Sequence, residues 1–155
     1  IIVPNQERRR IPTQLNDFSA PIVNTYSLET TIAEKIDAIL SLMEFSSRMK
    51  DYYDIYYLAN KFDFDGAILT KALKRTFENR EHIFTIEQFE QVVSFDHDEM
   101  MNKKWKAFCR KIDVKTEDYS TILQTINVFL ANPFRAAAQS KEYIAHWSAS
   151  ENKWK

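Results

Sequence analysis

In 155 residues the chain has one glycine, one cysteine and no long apolar run. Ordinary usage near 7% would give roughly eleven glycines. Gly66 stands alone. A G-x-G-x-x-G dinucleotide loop, a G-x-x-x-x-G-K-[ST] phosphate loop and a G-x-S-x-G nucleophile elbow are therefore excluded, because only glycine lets the backbone turn and approach a ligand in these ways. An all-β fold is disfavoured too, since its hairpins repeatedly need positive-φ residues. Cys109, being alone, can form neither an internal disulfide nor a cysteine-rich zinc site, which fits a reducing, cytoplasmic compartment. The longest apolar run, Ile55 to Ala59, has five residues. A membrane helix needs ~20, so no membrane partner is expected. Charge of one sign is lacking as well: the net value is −1, which gives no global pull toward nucleic acid or anionic lipid.

What is present is enough for one domain with its own core: 45% hydrophobic and 28% charged residues, at a length that buries roughly two-thirds of the unfolded surface. Ile1-Ile2-Val3-Pro4 has neither the charged start nor the long apolar core of a signal peptide. The sequence lacks an initial Met and is expected to be cut from a longer one. Residues 1–26 hold Pro4, Pro12, Pro21 and Arg8-Arg9-Arg10 with no helical period, and are expected to be extended with at most one short strand.

From Ser27 onward the pattern is helical, and residues 27–155 are expected to form a mainly α domain, a bundle of about six helices. Ser27 can cap a first helix with the stripe Leu28, Ile32, Ile36, Ile39, Leu40 and Met43. Ser47 can cap a second, running to Lys61, with Ile55, Leu58 and Phe62 inside. Residues 63–66 are expected to form a turn before a third helix with Ile68, Leu69, Ala72, Leu73, Thr76 and Phe77 on a buried face. Thr85-x-x-Gln88 has the form of a capping box for a fourth, and Asp96 or Asp98 can cap a fifth around Met101, Trp105 and Phe108. A sixth opens near Thr116 and is expected to stop before Pro133. Tyr143, Ile144 and Trp147 suggest a last short helix.

Chemistry is sought where polar residues break this pattern. With Asp51 at the origin and ~100° per residue, Leu58 falls near 340°, Phe62 near 20° and Ile55 near 40°. Asp51 therefore stands mid-face among apolar residues, with Asp54 on one edge and Arg48 on the other. A carboxylate facing a core needs a cation, a metal or a polar cleft. It can also lie in the first helical turn, favoured by the macrodipole and reached by water. Lys35 projects about 20° outside the first helix's stripe, where it can snorkel to the rim. Consecutive helices joined by a short link can bring Lys35 and Asp51 together.

The segments Tyr26-Ser27-Leu28-Glu29, Ala33-Glu34-Lys35-Ile36-Asp37-Ala38 and Ser47-Arg48-Met49-Lys50-Asp51-Tyr52-Tyr53-Asp54 together resemble the AbiEii/AbiGii-type nucleotidyltransferase toxins. Thr76-Phe77-Glu78-Asn79-Arg80 and Trp105-Lys106-Ala107-Phe108 resemble later landmarks of that family. The resemblance implies an enzyme in two parts, of which this chain is the helical C-terminal half. Residues 1–26 would then end a missing N-terminal core that supplies a Gly-Ser segment and an Asp-x-Asp pair. No Gly-Ser segment followed by Asp-x-Asp occurs here. Lys35 matches the family lysine and Asp51 the aspartate of the R-x-K-D motif. The same resemblance makes Arg48, Lys50 and Asp54 candidate substrate-binding residues and gives this chain no metal ligand. Magnesium and a nucleoside triphosphate are implied for the complete enzyme, neither being expected in this chain alone, which should be inactive. A cognate antitoxin and an RNA acceptor, tRNA in particular, are the implied partners in a bacterial toxin–antitoxin or phage-defence setting.

Other features keep two readings. Lys103, Lys104, Lys106, Arg110 and Lys111 around Trp105 and Phe108 can follow an RNA backbone or form a solvated helix side. Asp96-His97-Asp98-Glu99 suits helix capping better than metal binding, and His82, His97 and His146 lack ligand spacing. Tyr52, Tyr53, Tyr56 and Tyr57 fan around one helix and suit packing or base stacking. The competing class is a non-enzymatic helical module that binds an antitoxin or nucleic acid; the sequence upstream of Ile1 discriminates the two.

Overall fold

The computed structural model describes residues 27–112 and 117–155, together with the backbone of two short strands before them. Those strands, β1 (Arg9–Arg10) and β2 (Ile22–Val23), pair antiparallel with Arg9 opposite Val23, so the early segment holds two strands where one at most was expected. The side chains of Arg8-Arg9-Arg10 and the rest of residues 1–26 lie outside the described residues.

Among the described residues six α-helices follow: α1 (Leu28–Leu42), α2 (Met49–Lys61), α3 (Gly66–Asn79), α4 (Ile86–Val93), α5 (Glu99–Ile112) and α6 (Tyr119–Ala138). Their starts obey local chemistry. The Ser27 hydroxyl accepts from the Thr30 amide, Asp65 from those of Ala67 and Ile68, and Asp118 from that of Thr121. Thr85 and Gln88 form the reciprocal capping box, which satisfies two otherwise orphaned backbone donors. Between the two candidate caps of α5 it is Asp98 that accepts from an amide, that of Met101, at 2.9 Å. The second helix departs from expectation: Arg48 is its N-cap with no side-chain bond, and the Ser46 hydroxyl accepts from the Arg48 amide.

The core is a single cluster. α1 packs on α2, α3 and α4, while α6 runs against α2, α3 and α4 and α5 closes over α2. Ile32, Ile36, Ile55, Leu58, Leu73, Ile122 and Ile126 are wholly shielded from water, as their 3.6-residue spacing requires.

Two expectations fail for tertiary reasons. α6 does not stop before Pro133 but runs through it to Ala138. Proline at that position cannot donate to the carbonyl four residues back, that of Phe129, and the Trp154 indole N–H donates to it instead at 3.0 Å. The tail forms no helix. β4 (His146–Ser148) pairs with β5 (Lys153–Trp154) and with β3 (Phe64–Asp65), inside the stretch read as a turn, to make a three-stranded antiparallel sheet. The buried Trp147 fixes it to α2 by donating its indole N–H to the Ala59 carbonyl at 2.7 Å.

Gly66 has a use in this arrangement. Its amide donates to the Ala145 carbonyl at 2.7 Å, and a Cβ at this position would stand 2.7 Å from the Tyr143 carbonyl and 3.0 Å from that of Ala145. The sole glycine therefore serves close backbone approach between α3 and the tail.

Candidate functional site

α1 and α2 bring their pattern-breaking residues to one place. Lys35 Nζ lies 2.9 Å from Asp54 Oδ2 and 3.5 Å from Asp51 Oδ1. Lys50 Nζ reaches the same Asp54 oxygen at 2.8 Å, and Arg48 Nε stands 3.1 Å from Asp51 Oδ2. All five sequence-derived site residues thus belong to one network of three cations and two carboxylates.

Burial grades across it. The side chains of Asp54 and Asp51 are 0% and 3% exposed and that of Lys35 10%, whereas those of Lys50 and Arg48 are 32% and 60% exposed. Asp51 does lie in the first turn of α2, where the helix dipole favours an anion, but it is nearly enclosed rather than open to water. Asp54, projected to the edge of the face, is the most deeply buried of the five. α2 is covered by α1, α5 and α6, so its enclosed arc is wider than a one-sided projection assumes. Burial drives the Asp54 carboxyl above its usual range, against the opposing pull of Lys35 and Lys50, and its Oδ1 makes no hydrogen bond.

The connection into α2 is also held. Lys104 on α5 donates to the carbonyls of Glu44 and Ser46 at 3.0 and 2.9 Å. Beneath the network Tyr52 is fully buried, its ring edge-on to Tyr119 at 5.6 Å. Burial first, and the neighbouring Asp51 charge after it, push the Tyr52 hydroxyl up to about 12 although the Tyr119 hydroxyl opposes the shift.

The remaining candidates separate. Trp105 is buried and stacks on Tyr119, and Phe108 packs on Tyr53 and Trp105. Lys103 and Lys106 stand on the exposed side of α5. Asp96 accepts from the Ser120 hydroxyl while Asp98 caps α5, so the acidic run serves helix ends. The other Asp-x-Asp triplet is likewise committed: Asp63 accepts from the Ala149 amide and Asp65 caps α3. Among the described residues no three His, Cys, Asp or Glu side chains converge as a metal site. With three cations on Asp51 and Asp54, the donor set of this cluster does not fit magnesium.

Two buried acids escaped the sequence reading. Asp37, 1% exposed, holds His82 Nδ1 at 2.9 Å and Arg80 Nη1 at 3.5 Å. Glu29, also 1% exposed, falls inside the α1 stripe, about 20° short of its Leu40 edge, when projected as α2 was. Extending that projection to α1 acids would have found Glu29. Asp37 falls about 60° beyond Leu40 and carries a weaker signal.

Residues 1–140 match the protein family described as "Nucleotidyl transferase AbiEii toxin, Type IV TA system". The match covers most of the chain, and the chain belongs to that nucleotidyltransferase toxin family, whose toxin–antitoxin setting implies a cognate antitoxin. No curated protein and no solved structure matches it. Among the described residues no helix is long and apolar enough to cross a membrane.

Proposed function

We propose that this chain contributes Lys35 and Asp51 to a nucleotidyl-transfer site completed by a Gly-Ser and Asp-x-Asp core outside these residues. The observation that carries the reading is the contact of Lys35 with both Asp51 and Asp54 at the start of α2, where buried charge is retained at a cost an apolar pair would avoid. Family membership supplies the reaction class.

In this reading each residue has a separate task. Asp54, shielded from water, fixes the ammonium groups of Lys35 and Lys50. Lys35, thus held, offers positive charge to the phosphates as negative charge moves toward the leaving pyrophosphate, an effect strengthened by preorganisation. Asp51 accepts the proton of an attacking hydroxyl or holds that hydroxyl in line. The more exposed Arg48 and Lys50 meet the incoming phosphates. Magnesium, which supplies charge neutralisation on the phosphates when bound, is assigned to the Asp-x-Asp core and to no residue here. RNA, tRNA in particular, is the proposed acceptor class.

The test uses the protein carrying the upstream core and follows transfer of a radiolabelled nucleotide. Lys35→Ala and Asp51→Ala each lower the transfer rate by about 100-fold or more with the far-ultraviolet circular dichroism unchanged. Retention of transfer by both variants overturns the assignment.

A further inference from the structure

A second concentration of positive charge lies away from this network. Lys71, Lys74 and Arg75 are exposed on α3, at spacings that put them on one helix side. With Lys141 they line a pocket of about 410 Å³, within the range of small-ligand sites. Its position is fixed by the end of α6. Ser140 takes φ 54, the Lys141 amide donates to the Ala136 carbonyl at 2.8 Å, and the Ser140 amide donates to that of Ala137. This left-handed cap turns the chain sharply and brings Lys141 to the same pocket as the α3 cations.

Three observations point to an anionic ligand. None of the four cations has a salt-bridge partner among the described residues, and Glu78 and Glu142, the acids of the lining, leave a net charge of +2. That excess stands in a chain of net charge −1. Thr70, 4% exposed at the pocket, has a hydroxyl with no hydrogen-bond partner. The first-turn amides of α3 at Ala67 and Ile68 are already taken by Asp65, so the attraction comes from side chains. Lys71 to Arg75 spans about 6 Å of helix rise, and Lys141 stands on another element. Cations gathered around one cavity suit a compact ligand better than a long strand.

We infer that this pocket binds a compact polyphosphate, two or more linked phosphate groups carried by a free oligophosphate or by a nucleotide. Lys71, Lys74, Arg75 and Lys141 hold the phosphates by charge-assisted hydrogen bonds. Ala67 and Ile68 border the cavity and offer apolar surface to a nucleoside.

Isothermal titration of this chain with inorganic tripolyphosphate, and separately with ADP, tests the inference. Binding is expected to weaken about tenfold in Lys74→Ala/Arg75→Ala, as loss of charged hydrogen bonds implies, and to weaken with added salt. Lys103→Ala/Lys106→Ala on α5 should bind as the parent does, which separates this pocket from positive charge elsewhere on the surface. Tighter binding of ADP than of tripolyphosphate assigns the nucleotide as the source, and the reverse assigns the free oligophosphate. The Lys74, Arg75, Lys103 and Lys106 side chains are exposed, so unchanged circular dichroism is expected in both pairs. Thr70→Val provides a second variant, expected to weaken binding without lowering Tm. Absence of binding at millimolar ligand, equal weakening by the α5 pair, or tighter binding of a short single-stranded RNA through these residues overturns the inference.

Discussion

Asp51 and Asp54 lie three residues apart, both buried against Lys35, yet the structure gives them different energetic weight. Asp54→Ala removes the 2.9 Å partner of Lys35 and the 2.8 Å partner of Lys50. Lys50, partly exposed, can turn to water, but Lys35 loses its 2.9 Å partner and keeps the longer 3.5 Å contact with Asp51, while its ammonium is nearly enclosed. Breaking a buried pair from one side costs about 3 to 5 kcal/mol, which for a domain of this size lowers Tm by roughly 10 °C. Asp51→Ala releases Arg48, whose side chain is 60% exposed, and leaves Lys35 with its closer partner. Its cost is accordingly about 1 kcal/mol. Urea unfolding followed by circular dichroism measures both, and the difference in midpoint at constant slope is the quantity of interest. The double replacement Lys35→Met/Asp54→Leu should recover most of the loss, because removing both charges removes the uncompensated one. Equal destabilisation by Asp51→Ala and Asp54→Ala, or none by Asp54→Ala, would refute this division of roles.

Other consequences follow from the tail and the tyrosines. Gly66→Ala places a Cβ 2.7 Å from the Tyr143 carbonyl and should cost about 1 to 3 kcal/mol by calorimetry, with loss of amide-exchange protection at Gly66. Trp154→Phe removes the donor to the Phe129 carbonyl and should cost about 1 kcal/mol. Pro133→Ala in that background should return part of it, since alanine restores the helical N–H. For Tyr52 the folded hydroxyl is raised from 10.0 to about 12 by burial. The fold disfavours the ionised form, so stability should fall as pH rises above 10, through the window up to about 12. Near-ultraviolet tyrosinate absorbance should show Tyr52 titrating late, and Tyr52→Phe should flatten the alkaline loss of stability.

Legibility in the sequence tracked the range of the forces involved. Helix starts at Ser27 and Thr85 were readable because capping is a bond between residues three apart. Helix ends were readable only in part: α2 stops at Lys61 as expected, whereas α6 runs past Pro133. α3 and α6 close with Glu81 and Ser140 at φ 57 and 54, positions that glycine usually marks, and this chain has a single glycine. The end of α3 turns the chain so that His82 meets Asp37 across 45 residues. Pro133 misled because the donor that rescues its helix, Trp154, is 25 residues from the freed Phe129 carbonyl. The tail sheet depends on pairing Trp147 with Phe64, which no local pattern encodes. The charged network was legible in outline because Asp51 broke a periodic face. The depth of Asp54 required knowing which helices cover α2.

The central claim is that Lys35 and Asp51 act together in nucleotide transfer. It is tested most directly by the rate constant for transfer in a protein carrying the proposed upstream core, measured for Lys35→Ala, Asp51→Ala and the double variant. Residues that act as one unit are not additive, so each single change should lower kcat by about 100-fold or more and the double should be no slower than the worse single. Rates in both single variants that match the parent, with the fold intact, would contradict the account.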